Sequence, residues 1–189
     1  MRASLRQPLS AQPRPGLAPD MRPPSLMPPQ GPHVILGGHQ GADGLAEPVL
    51  PTTATLFGPR GAYLAGEGGP LFVSDTGHHR LMIWRDRPQS DDQEADALIG
   101  QPDFLSEGRN GRGDISAATL NVPTGVAAAG GILAVADAWN NRVLIWHDYP
   151  ARSNQPADVV LGQADFQSGL ANRAGSRSEE RRVGKECRS

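Results

Sequence analysis

The chain has 189 residues, of which 38% are hydrophobic and 20% charged, and a formal net charge of −2. That balance excludes the broad basic footprint of a nucleic-acid binder, and no stretch reaches the roughly 18 consecutive apolar residues of a membrane helix. A single cysteine, Cys187, leaves no disulfide framework and no thiolate metal cluster.

Residues 1–32 hold nine prolines and four arginines, which predicts an extended or disordered segment. No apolar run follows the arginines, so a secretory signal is not expected, and the default compartment is the cytoplasm. Met21 and Met27 stand beside Met1 as candidate starts. A structured region is expected over 33–176. It opens with His33 to Gly38 (HVILGG), an apolar triplet closed by glycine.

Two longer units follow, one over about 59–104 and one over about 123–166. Asp75 and Asp137, Arg80 and Arg142, Trp84 and Trp146, Gly100 and Gly162, Gln101 and Gln163, and Phe104 and Phe166 are each 62 residues apart. A register held through six pairs marks a repeated module. Within each copy, short runs of β-branched and aromatic residues are separated by Gly, Pro, Asn and Asp, which predicts four short strands and an all-β fold. Asp75-Thr-Gly-His-His and Asp137-Ala-Trp-Asn-Asn carry turn chemistry between the second and third strands. The first copy is two residues longer between Gly61 and Asp75 than the second is between Gly125 and Asp137, which fits a longer hairpin turn at Glu67 to Gly69.

The pattern V-x-D-x-x-[HN]-[HN]-R-[LV]-x-I-W, preceded by L-x-x-P-x-G-V, resembles the NHL repeat, and the L-G-Q-[PA]-D-F that follows resembles a bacterial variant with long blades; the first copy departs at its entry, Leu56 to Gly61. The resemblance spans about residues 33 to 170. It implies a β-propeller of four-stranded blades with a period of about 62 residues, of which this chain holds an N-terminal clasp strand (33–38) and two blades; a full ring would have about six blades. Residues 177–189 (RSEERRVGKECRS) break the repeat and resemble the in-frame translation of a sequencing adapter, so the chain is expected to be truncated, with a non-native tail.

The expected structural turn motif comprises Asp75, His78, His79 and Arg80 in the first copy and Asp137, Asn140, Asn141 and Arg142 in the second. His78, His79 and Asp75 have the residue types of a zinc site, but amides occupy the histidine slots in the second copy, so no metal and no other cofactor is expected. Each arginine follows its aspartate by five residues, within reach of a charge-assisted contact across a tight turn. Trp84 and Trp146 share one strand position and are expected in the core. Trp139 replaces Gly77 in the turn and is the candidate partner contact. No catalytic constellation is visible.

Structural residues shared by the two copies, with divergent loops, predict a non-catalytic scaffold that binds a protein or small ligand through loops 76–79, 105–118 and 138–141. Its alternative is a propeller enzyme, such as a metal-dependent lyase or lactonase, with a channel site built from several blades. Nucleic acid and membrane are not expected partners.

Overall fold

The computed structural model describes residues 32–37 and 49–171. The chain divides after His33, and every strand of the described residues lies in the second unit, Val34–Ser189. The proline-rich segment, apart from Pro32, and the tail 177–189 with Cys187 fall outside the described residues.

Eight strands form two four-stranded antiparallel sheets. The first contains β1 (Gly61–Leu64), β2 (Leu71–Asp75), β3 (Arg80–Trp84) and β4 (Ala97–Ile99), paired in sequence order. The second repeats this with β5 (Pro123–Ala129), β6 (Ile132–Asp137), β7 (Arg142–Trp146) and β8 (Val159–Leu161). Register repeats as well: Asp75 faces Arg80 and Leu71 faces Trp84, just as Asp137 faces Arg142 and Leu133 faces Trp146. The expected two-residue extension lies in the first hairpin. The N–H of Ala65 meets the carbonyl of Pro70 across a four-residue tip, where Ala129 pairs with Ile132 across Gly130 and Gly131 alone.

Strand alternation gives each sheet two apolar faces. Phe72, Leu81, Ile83, Ala97 and Ile99, at 1% exposure or less, pack from the first sheet against Leu120, Ala128, Leu133, Val135, Leu144, Trp146 and Ala157 of the second. Phe72 also meets Tyr149 edge-on at 5.2 Å. Val73, Met82, Trp84 and Leu98, on the other face of the first sheet, are covered in part by Leu36, Leu56 and Phe104. Both strand-end tryptophans are fully buried, as their shared position predicts, and each spends its indole N–H on a carbonyl nine residues on, Gln93 or Gln155, at 2.9 Å.

Among the described residues the segment Val34–Gly37 forms no strand of its own, and its ladder contact is an isolated parallel bridge from Gly37 to Thr55. Its position nevertheless repeats that of β4, whose Gly100 makes the same parallel bridge to Thr119. Ile35 donates its N–H to Asp91 and accepts from the N–H of Asp92, while Leu98 donates to Ser153 and accepts from Asn154. In both cases the turn residue that donates its N–H is left-handed, Asp92 with φ 48° and Asn154 with φ 53°.

Gly61 shows what the stacking of the sheets demands of the sequence. It lies on β1 where β5 crosses closest, and a Cβ there would collide with the backbone carbonyl of Thr124. Backbone cannot yield as a flexible side chain can, so Gly61→Ala is expected to lower stability by about 1–3 kcal/mol. Gly66→Ala, at a position with open space around it, is the contrasting control in the same urea titration, where its left-handed φ gives a smaller loss of about 1 kcal/mol.

Candidate functional site

The turn between the second and third strands of each sheet gathers the polar residues singled out in the sequence. Asp75 closes β2 and Arg80 opens β3, so antiparallel pairing brings them opposite one another, with Arg80 Nε 2.8 Å from Asp75 Oδ2. The second sheet repeats this at 2.7 Å between Arg142 and Asp137. All four side chains are buried. Ions removed from water need every donor and acceptor engaged, and here they are well supplied.

Each guanidinium makes three further hydrogen bonds to chain segments far away in sequence. Arg80 reaches the carbonyls of Thr52 and Thr55 before its sheet and that of Phe104 after it. Arg142 reaches Ser116, Thr119 and Phe166 in the same way. The other carboxylate oxygen caps the entry turn: Asp75 Oδ1 accepts the N–H of Phe57, and Asp137 Oδ1 that of Asn121. Gln101 and Gln163 complete the frame, each donating from Nε2 to both carbonyls of its turn pair, 78–79 or 140–141, and to a downstream loop carbonyl.

At the next position the two sheets use different chemistry for one task. His78 Nδ1 lies 2.8 Å from Asp75 Oδ2, and its Nε2 lies 3.0 Å from the carbonyl of Val49. Asn140 donates its amide N–H groups to Asp137 Oδ2 at 2.7 Å and to Asn110 Oδ1 at 2.8 Å. Burial pulls the His78 imidazole down, but the hydrogen bond to Asp75, that carboxylate's charge and the Val49 carbonyl together hold it above its ordinary value, against Arg80. Burial pushes the Asp137 carboxyl up, while the N–H of Asn121, the Asn140 amide and Arg142 pull it back.

His79 and Asn141 close the turns in left-handed conformations, with φ 56° and 52°. His79 does not join Asp75 and His78; it faces the second sheet, where its Nδ1 accepts the N–H of Val122. Burial and the charge of Arg109 lower its pKa, against Glu107, Asn121 and Asp137. Among the described residues no group of three or more His, Cys, Asp or Glu could hold a metal ion.

Trp139 lies on a one-turn 3-10 helix, Ala138–Asn140, and is 57% exposed, with the guanidinium of Arg109 5.1 Å above its ring. The first sheet has Gly77 in that slot, because the space is filled by Phe57, itself 51% exposed. The repeat thus exchanges aromatic positions: Phe57 with Gly77 in one copy, Asn121 with Trp139 in the other. Sequence reasoning missed this exchange, which shows only when the entry turns are aligned at their own 64-residue spacing. It also missed Asn110, whose link to Asn140 joins loop 105–118 to turn 138–141. Shallow grooves beside the loops, one of about 280 Å³ including Leu50 and Leu105 and one of about 670 Å³ including Ile115 and Leu170, hold no convergent catalytic groups.

No family model matches the chain, and no curated protein matches it either.

Breaking a buried pair leaves an uncompensated charge, so Arg142→Ala is expected to lower stability by about 3–5 kcal/mol. Removing both partners in Asp137→Ala/Arg142→Ala should recover part of that loss, giving a coupling that a double-mutant cycle in urea can read.

Proposed function

We propose that the two sheets are consecutive blades of an NHL-type β-propeller and that this propeller is a non-catalytic scaffold. The repeat at 62 residues and the matching register of the two sheets support the fold reading. One observation carries the functional reading: the ionisable side chains that invite chemistry are spent on internal contacts, while the loop face presents aromatic surface. Asp75, His78, Arg80, Asp137 and Arg142 are all buried and hydrogen-bonded. Phe57 and Trp139 are more than half exposed, and Arg109 stacks on Trp139. Tryptophan and arginine are the residue types that carry binding energy at protein interfaces. The partner is a protein that lays an apolar or aromatic residue against this pair.

The test is affinity capture from the source cell with the whole protein and with its Trp139→Ala variant, followed by calorimetry on the recovered partner. Trp139 is exposed, so the substitution leaves the fold intact, and affinity should fall by about tenfold or more. An unchanged affinity overturns the reading. So does stoichiometric divalent metal accompanied by turnover of a lactone or lyase substrate.

A further inference from the structure

The two adjacent histidines of the first turn have opposite hydrogen-bonding requirements. His78 has an acceptor at each nitrogen, a carboxylate oxygen of Asp75 at 2.8 Å and the Val49 carbonyl at 3.0 Å, and only the doubly protonated ring donates to both. His79 has a donor at Nδ1, the N–H of Val122 at 3.1 Å, and only a ring with that nitrogen unprotonated can accept it. The second sheet provides an internal control. Asn140 bonds Asp137 and Asn110 in the slot of His78, and Asn141, in the slot of His79, donates to the Gly169 carbonyl instead of accepting an N–H; neither amide titrates.

We propose that His78–His79 is a two-way proton switch, which on acidification keeps the first sheet tied to its entry segment at Val49 while releasing its tie to the second sheet at Val122. The groups around each ring are consistent with this division. His78 is faced by Asp75 of β2, Arg80 of β3, the Val49 carbonyl and the ring of Phe57, 5.6 Å away. His79 is faced by Arg109 and Glu107 of the loop after β4, by Asn121 and the N–H of Val122 at the entry to β5, and by Asp137 of β6.

The tie at Val122 has a further consequence. Val122 is a β-branched residue at φ 54°, where the first sheet has Gly58 at φ 56°. Such a residue is strained in the left-handed region and persists because its surroundings hold it. His79 supplies part of that hold, so its protonation loosens a position already under strain.

The signs follow from the directions of the two shifts. His78, raised above its ordinary 6.5, contributes stability that is present below 6.5 and is lost as pH rises through its folded value. His79, lowered from 6.5, contributes stability that is present above 6.5 and is lost as pH falls from there through its folded value.

The measurement is an NMR titration of the whole chain from about pH 8 to about pH 5, following both imidazole rings and the exchange of the Val122 amide. The Asn121 amide, which donates to Asp137 instead, is the internal reference. The expected result is His78 titrating above 6.5 and His79 below it. Val122 should lose about tenfold protection relative to Asn121 as His79 protonates, the loss of roughly one net hydrogen bond. In His79→Asn that acid-dependent loss should vanish. In His78→Asn, which copies the second sheet, it should remain. A single shared titration of the two rings, or a Val122 protection ratio that does not change with pH, overturns the proposal.

Discussion

A buried aspartate–arginine pair at the junction of the second and third strands is the contact on which each sheet depends. Its direct attraction is not the main point, since removing two ions from water costs several kcal/mol each before any attraction is counted. What the pair contributes is organisation. One carboxylate accepts from the entry turn, the neighbouring turn side chain and the arginine; one guanidinium then fastens the segment before the sheet and the segment after it. Four separated stretches of chain are held around two side chains. This network makes each sheet, together with its flanking loops, one unit.

Much of this was legible in the sequence, and the physical reason is repetition. One copy of Asp-x-x-His-His-Arg would be a weak motif; its recurrence as Asp-x-x-Asn-Asn-Arg in constant register assigns Asp75, Arg80 and Trp84 a structural role before any coordinate is known. Strand number, the longer first hairpin, the buried tryptophans and the exposed Trp139 all follow from strand alternation and turn chemistry. The turn contacts were less legible because they are made between segments of different spacing. The entry turns repeat at 64 residues while the strands repeat at 62, so the exchange of Phe57 and Gly77 for Asn121 and Trp139 is hidden from a single alignment. Gln101 and Gln163 stood out as a repeated pair, yet glutamine has no local signature for bridging three carbonyls. Val34–Gly37 was legible as a copy of β4 in sequence, and its bridge to Thr55 matches that of Gly100 to Thr119.

Repeats also show which features the architecture tolerates. The same hydrogen-bonding slot accepts an imidazole in one copy and an amide in the other, and the same left-handed position accepts glycine in one and valine in the other. The aspartate, the arginine and the tryptophan do not vary between the two copies. Variation falls at turn positions, some exposed like Trp139 and some buried like His78 and Asn140, where the replacement keeps the bond to the aspartate.

The reach of the arginine bears on the order in which the chain acquires its structure during synthesis. Arg80 cannot complete its bonds until the carbonyl of Phe104 is present, 24 residues further on, and Arg142 waits in the same way for Phe166. β1 to β4 can therefore pair as they emerge from the ribosome while the arginine at their centre still lacks one acceptor. A pause within those 24 residues would hold a partly anchored sheet with its apolar face uncovered. Domains emerging from the ribosome are most prone to misassociate in that condition. The polar, glycine-rich loop that follows, Glu107 to Asp114, separates the Phe104 acceptor from the next apolar strand.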